Sequence, residues 1–487
     1  HTTIITIAES PVQPGVIWAG TDDGNIQVTR DGGVNWTNVV GNIRGLRAAS
    51  WIGKIDASWH DAGTAYVAAD NHRYDDFTPH VFVTRDYGRT WADLSAGLPE
   101  DDYTYVIRED PKNPSLLYVG MERGMYAAWD AGKTWVSIRG NIPPVSVRDI
   151  KIQTEYNDLV VGTHGRGAYV LDDLSAFQEL PDAMADPQGA HLFTVRTATR
   201  WQIAHKDADL GQREWRAEDP QQGAIFRYWL KSTPAGALDL EVKDARGQQV
   251  WSTQVRGAKE GVNEANWNLR HQGAAPIPVE TGAGGGGGGF FGFGGGSGPT
   301  ALPGSYTVTL RGEEWERSRA FEVRGDPRVQ MTNAQFQAQF DAVVALRDLT
   351  TRINQSVGTA ESVMKQLRDL AGTLTTAGDD RALIAEVRDA AASVQEVSDE
   401  HLRRPPPRMG YRQRPRVSEE LRSLVGSIAG VEAPPTVPQM ARLQQIRGEA
   451  QQAIDALNLV LDTKIKALND KLGDRPHIMI NRPRIIS

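Results

Sequence analysis

The stretch "IAESPVQPGVIWAGTDDG" returns one hundred residues later as "IREDPKNPSLLYVGMERG". Ile7 matches Ile107, Glu9 matches Glu109, Pro11 matches Pro111, Pro14 matches Pro114, Gly20 matches Gly120 and Gly24 matches Gly124. A repeat at fixed period restricts the fold strongly, because each copy is one unit that must stack on the next to bury its apolar face. β-branched and aromatic residues alternate between the Pro and Gly turns, so each copy predicts strand, turn, strand, hairpin, strand.

After each hairpin comes a second echo. It reads Thr29, Asp31, Gly33, Trp36, then Thr84, Asp86, Gly88, Trp91, then Asp130, Gly132, Trp135 with Ala128 where Thr stood. An Asp carboxylate can accept backbone N–H groups of its own turn, Gly supplies a positive φ, and Trp packs between sheets, so all three are scaffold roles. This spacing resembles the Asp box of sialidase-like and sortilin-like β-propellers, which implies a turn on the blade's rim away from a central site. A further strand pair at "LVVGTHGRGAYVLDD" predicts a fourth blade. Residues 1–180 are therefore expected to form about four Asp-box propeller blades. Four is the low limit for ring closure, so the ring is expected to be completed by an upstream segment of the same precursor or by a partner chain.

Residues 181–215 are polar and irregular, a linker or strap. Over 216–328 segments such as "AIFRYWLK", "LDLEVKDARGQQVWST" and "GSYTVTL" alternate apolar and polar residues, predicting an Ig-like β-sandwich. Its glycine-rich loop, 281–302, carries Phe290, Phe291 and Phe293, read either as a floppy loop or as contacts for a partner or lipid surface. From 329 to 475 the period becomes helical: Phe336, Phe340, Val343, Val344 and Leu346 form one stripe behind Thr332, and Pro438 stands near a later helix start, predicting an antiparallel bundle. Residues 476–487 are an extended tail. Between helices, "RRPPPRMGYRQRPR" sets Arg403, Arg404, Arg408, Arg412, Arg414 and Arg416 in a segment whose prolines forbid a helix, either a solvated loop or an anion-binding strip.

A formal net charge of -8 argues against a general nucleic-acid binder. The absence of cysteine excludes disulfides and thiolate chemistry. No apolar run approaches the roughly 20 residues of a membrane span, and no cofactor motif is present. The chain opens at His1 without an initiator Met or signal-peptide pattern and reads as a processed or truncated piece. Taken together, the blades, "THGRGAYVLDD", the strands ending "PGSYTVTL" and the helical tail resemble the C-terminal half of large bacterial secreted sortilin-like or BNR-repeat proteins labelled "glycosyl hydrolase". That resemblance implies a secreted, periplasmic or cell-surface location, while fold alone assigns no chemistry.

Candidate site residues fall in two groups. Asp22, Asp23, Glu122, Arg123, His164 and Arg166 occupy equivalent hairpins of three blades and would share a rim; alternatively they are ordinary turns, with Arg166 tied to Asp172 or Asp173. Tyr103 and Tyr105 stand at a strand start. The insertion "DNHRYDDFTPH" clusters Asp70, His72, Arg73, Tyr74, Asp75 and Asp76, with His80, in a loop of the kind that carries binding residues. Its spacing matches no metal site, and none is assigned. Glycoside hydrolysis requires two carboxyl groups, or in the sialidase variant a tyrosine with a carboxylate partner. Two functions follow: a binding or assembly protein that recognises protein or glycan on a propeller face, and a glycoside hydrolase with its site at the centre of the completed ring.

Overall fold

The computed structural model describes residues 2–202, 219, 221–278, 298–408, 410 and 412–481. Phe290, Phe291 and Phe293, with the 281–297 part of the glycine-rich loop, the 203–215 part of the strap and tail residues 482–487, lie outside the described residues.

The chain divides into two compact units, the first comprising residues 1–196, 227–235 and 258–264. It opens with β1 (Ile4–Glu9), β2 (Ile17–Thr21), β3 (Ile26–Thr29) and β4 (Thr37–Asn38), paired in that order. The second sheet is β5 (Trp51–Ala57), β6 (Ala65–Asp70), β7 (His80–Thr84) and β8 (Ala92–Asp93). The third is β9 (Thr104–Glu109), β10 (Leu117–Met121), β11 (Gly124–Ala128) and β12 (Val136–Ser137). The fourth holds β13 (Val147–Gln153), β14 (Asp158–Thr163) and β15 (Ala168–Leu171). Every neighbouring pair is antiparallel, and the first strands β1, β5, β9 and β13 lie side by side in succession. This order and packing is that of propeller blades.

Alternation within the strands builds the core between sheets. β6 is buried at every position because its two faces serve two interfaces: Ala65, Val67 and Ala69 pack toward Trp18, Ile26 and Ile52, while Tyr66 and Ala68 pack toward Ile107, Leu117 and Val119. β10 does the same, with Leu117, Val119 and Met121 on one side and Tyr118 on the side of Val147, Ile150 and Val161. Strands covered on both faces read as near-continuous apolar runs, as both do.

The glycines that first revealed the repeat sit where neighbouring sheets come closest. A Cβ on Gly20 would lie 2.6 Å from Ile52 Cγ2 and 2.7 Å from Thr6 Cγ2, and one on Gly120 would lie 2.7 Å from Cγ1 of both Val106 and Val147 and 2.8 Å from the Val147 carbonyl oxygen. Gly120→Ala is therefore expected to destabilise this unit by about 1–3 kcal/mol, whereas Gly41→Ala, with open space around it, should stay within about 0.5 kcal/mol. Urea unfolding followed by tryptophan fluorescence checks both; equal midpoints for the two variants would remove the close-approach explanation.

Two short helices, α1 (Ser175–Gln178) and α2 (Leu180–Ala185), follow the fourth sheet. Next come β16 (Ala190–Leu192), β17 (Ala198–Arg200), β18 (Ala224–Leu230), β19 (Leu238–Asp244), β20 (Gln249–Val255), β21 (Gly261–Trp267), β22 (Gly304–Arg311) and β23 (Glu316–Gly325). They form a three-stranded sheet, β16-β18-β21, and a five-stranded sheet, β17-β23-β22-β19-β20, in which only β17 and β23 run parallel among the described pairs. In the second unit Phe226, Trp267, Tyr306 and Phe321 meet ring to ring.

The C-terminal helices are α3 (Asn333–Ala377), α4 (Arg381–Val397), α5 (Val417–Ala429), α6 (Val437–Val460) and α7 (Lys466–Leu472). Thr332 with Gln335 and Thr436 with Gln439 form capping boxes, and Gly378 closes α3 in the left-handed conformation. Val343 and Leu346 join Val387, Leu421, Ile446 and Leu457 in one core. In the arginine-rich segment Arg403 pairs with Glu361 and Arg416 donates to the Asp399 carbonyl at 2.7 Å, so these two are committed to the bundle.

Candidate functional site

The two ends of the blades carry different sets of polar residues. The turns after β3, β7 and β11 hold Asp31, Asp86 and Asp130, whose carboxylates are filled by their own turns. Asp31 accepts from the Asn35 amide at 2.9 Å and Asn35 Nδ2 at 2.7 Å, and Asp86 accepts from the Thr90 amide at 2.9 Å and Thr90 Oγ1 at 2.7 Å. Asp130 accepts from the Lys133 and Thr134 amides at 2.9 and 3.0 Å. The Asn35 backbone bond, followed by the Asn35 and Thr29 side chains, holds the Asp31 carboxyl at about 2. Gly33, Gly88 and Gly132 all have positive φ. Trp36 and Trp91 donate to the Gly33 and Gly88 carbonyls, while Trp135 reaches the Leu94 carbonyl of the preceding sheet at 2.8 Å. Saturated acceptors of this kind are not free for catalysis.

The opposite end carries the sequence-predicted site residues. In the first sheet Asp22 accepts from the Thr3 amide, and Asp23 from Thr2, Thr21 and Asn25, all within the same blade. In the β6–β7 loop buried Asp70 takes the His72 ring at 2.6 Å, and Asp76 takes His80 at 2.7 Å. Burial works to raise the Asp76 carboxyl, but bonds from Thr78 and His80 outweigh it and hold it below the usual range. Asp75 is exposed in the left-handed conformation, and Tyr74 Oη donates to the Ala49 carbonyl at 3.3 Å. Among the described residues no three His, Asp or Glu are grouped so as to hold a metal ion.

At the third sheet the rim converges. Tyr105 Oη lies 2.8 Å from Glu122 Oε2 and 3.1 Å from Tyr103 Oη. Arg148 Cζ lies over the Tyr105 ring, 3.8 Å from its centroid, and the guanidinium reaches Glu122 at 3.9 Å. His72, held by Asp70, stacks on Tyr103 with ring centroids 4.7 Å apart, which joins the insertion loop to this cluster. Arg123 pairs with Asp101 at 2.8 Å, and its amide donates to Asp102 at 3.1 Å.

The electrostatics divide the carboxyl groups. Partial burial pushes Glu122 up, but the Tyr105 hydroxyl, then Ser146 and Arg148, win and hold it below its usual value. Burial raises Asp102 above its usual value, helped by the charges of Asp101 and Glu122 and opposed by Arg123. Glu122 is thus held below its usual value and buried Asp102 above its own, and carboxyl groups pushed apart in this way are the pattern that acid–base chemistry uses. Burial, then donation to its neighbours, drives Tyr105 far above its usual value, so it stays a protonated donor rather than a resting phenolate nucleophile.

Tyr105→Phe is expected to shift the Glu122 carboxyl upward and to cost about 0.5–1.5 kcal/mol at neutral pH. Because Glu122 is depressed in the folded chain, its stabilisation exists above its unfolded pKa and fades as pH falls, so wild type and variant should converge in acid. Carbon-detected NMR titration of the glutamate carboxyls checks the shift; an unmoved Glu122 would refute the pairing.

His164 and Arg166 are exposed on the β14–β15 hairpin, outside this cluster. No ion pair joins Arg166 to Asp172 or Asp173 among the described residues, and Asp173 takes Arg227 at 3.1 Å. Sequence reasoning missed Asp102 and Arg148. The available signal was divergence within the repeat, since "DYTY" over 102–105 stands where the first copy has "TTII" over 2–5, just before the matching Ile7 and Ile107.

The first strands of the second, third and fourth sheets are tied by ions. Lys54 meets Asp149 at 3.0 Å, Asp149 meets Arg108 at 3.1 Å, and Arg108 meets buried Asp56 at 2.7 Å. Beside them Glu109 accepts from Ser58, the Trp59 amide and Tyr66 within 2.9 Å.

No family model matches the chain. Over 182 residues, 34% of this chain, it is 26% identical to the oligoxyloglucan-reducing end-specific xyloglucanase of Emericella nidulans, and the match spans 21% of that enzyme's length. Among solved structures it is similar to YCF48 from Cyanidioschyzon merolae, at 16% identity and a TM-score of 0.28, over 35% of this chain and 53% of that one. It is also similar to the GH74 xyloglucanase from Xanthomonas campestris, at 10% identity and a TM-score of 0.27, over 65% of this chain and 36% of that one. The order and pairing of the sheets are those of propeller blades, and the sequence similarity is to a xyloglucanase.

Proposed function

We propose that this chain is part of a glycan-acting propeller protein of the glycoside-hydrolase kind, with its substrate face on the rim formed by the β6–β7 loop, Asp102–Tyr105, the β10–β11 hairpin and Arg148. The observation that carries this reading is the Glu122–Tyr105 pair beside Asp102: an ionised carboxylate and a raised carboxyl group sharing a rim. Glu122 would stabilise positive charge or activate water, and Asp102 would supply the proton. The similarity to a xyloglucanase supports a polysaccharide substrate. Exposed Ile7 on β1 and Val170 on β15, 66% and 57% accessible, support completion of the ring by further blades from an upstream segment or a partner chain. Within the same reading the turns are Asp boxes, the strands over 216–328 are an Ig-like module, and the protein is exported to the periplasm, cell surface or exterior. No described helix is long and apolar enough to cross a membrane.

A second reading, recognition without hydrolysis, is favoured by one observation. The Lys54–Asp149–Arg108–Asp56 ladder ties the first strands of three sheets together with charges that neutralise one another. The test is release of new reducing ends from xyloglucan and a panel of soluble polysaccharides by the 487-residue chain. Release supports hydrolysis, binding without release supports recognition, and the absence of both release and binding overturns the glycan reading.

A further inference from the structure

Three of the four arginine–aromatic stacks described in the first unit lie on this one rim. Arg47 lies over Tyr74 at 3.9 Å, Arg73 over Trp51 at 4.2 Å and Arg148 over Tyr105 at 3.8 Å, whereas Arg30 on Tyr87 sits at the other end of the blades. The three are contiguous around the rim. Trp51 pairs across the sheet with Asp70, Tyr74 reaches back to Ala49, and His72 stacks on Tyr103 beside Tyr105.

Stacking leaves the in-plane N–H edge of a guanidinium open, and that edge matches a carboxylate in bidentate fashion. Arg47 and Arg73 are exposed, and among the described residues neither has a carboxylate partner. The nearby acids are mostly engaged: Asp70 by His72, Asp76 by His80, and Asp101 by Arg123. Only Asp75, two residues after Arg73, is exposed with no side-chain partner described. Although the rim as a whole carries more acids than arginines, Arg47 and Arg73 are exposed cations on aromatic faces without a described carboxylate partner, and Arg148 shares its charge with Glu122. Aromatic faces suit sugar rings, and forked cations suit sugar acids.

We propose that the rim selects an anionic polysaccharide, one bearing uronic acid carboxylates, with Arg47, Arg73 and Arg148 as the groups that read the acid. This rests on the glycan reading above and names its substrate class. The probes are polygalacturonate, its fully methyl-esterified form, neutral xyloglucan and polyglutamate, each titrated against the full chain by calorimetry at low and raised salt. Polygalacturonate should bind about tenfold tighter than its ester, with the preference shrinking in salt. Arg73→Gln and Arg47→Gln should each lower affinity for the acid about tenfold and leave affinity for the ester unchanged. Arg73→Lys should retain part of the preference, because charge survives without the fork.

Equal affinity for acid and ester, or a preference that survives both glutamine variants, would overturn the proposal. Binding of xyloglucan alone would overturn it while leaving the glycan reading intact. Polyglutamate bound as well as polygalacturonate would assign the arginines to an acidic polypeptide instead. Failure to bind any polysaccharide would sink the glycan reading together with this one.

Discussion

Arg108→Ala is expected to destabilise the propeller unit by about 3–5 kcal/mol, a loss on the order of 10 °C in its melting transition. The guanidinium bridges Asp56 at 2.7 Å and Asp149 at 3.1 Å and donates to the Ile150 carbonyl at 2.6 Å. Asp149 keeps Lys54, but buried Asp56 would retain only the hydrogen bond from the Glu109 amide. Burial already raises the Asp56 carboxyl, with Arg108 working against it. A raised carboxyl contributes stability that is present below its unfolded pKa and lost as pH rises through its folded pKa. Removing Arg108 raises it further, so the deficit should be larger at neutral pH than in mild acid. The double variant Arg108→Met with Asp56→Asn should recover most of the loss, because the buried charge is gone. Thermal melts across pH check this, and a deficit independent of pH would mean that Arg108 acts through packing.

If the proposed hydrolysis is the chain's activity, Glu122→Gln is expected to reduce it by about 100-fold or more while changing binding little, because the amide oxygen can still accept from Tyr105 and only the charge is lost. The pH profile carries more information than the loss itself. Glu122 is depressed, so its ionised form is available until pH falls below the usual carboxylate range, which sets the acid limb. Asp102 is raised, so its protonated form is lost as pH rises through its folded value, which sets the alkaline limb. Asp102→Asn should abolish the alkaline limb and leave the acid one. Rates on soluble polysaccharide against pH measure both limbs, and a wild-type profile in either variant would take that residue out of the chemistry.

The scaffold was legible because it repeats. Pro and Gly punctuation at a fixed period marked the turns, and the packing shows why Gly20 and Gly120 match: each meets a side chain of the adjacent sheet where a Cβ has no room. Gly24 and Gly124 match only as letters. Gly24 has φ near +90° in a hairpin one residue longer by register, whereas Gly124 pairs directly with Met121. The hairpin residues Glu122 and Arg123 were legible for the same reason as the turns.

Their partners were not. Asp102, Tyr105 and Arg148 reach Glu122 and Arg123 through strand ends brought together by sheet pairing and sheet packing, and no local spacing encodes that. Asp173 shows the same limit, taking Arg227 across 54 residues rather than nearby Arg166. Single-strand patterns specify which side chains reach a rim, and the stacking of sheets decides which of them meet.

Hydrogen–deuterium exchange of the full chain, with and without xyloglucan or polygalacturonate oligosaccharides, is the most direct test of the rim as the glycan face. The account predicts protection over 70–80, 101–105, 122–124 and 146–148, with the turns at Asp31, Asp86 and Asp130 unchanged. Protection confined to those turns or to the C-terminal helices, or no protection by either sugar, would contradict it.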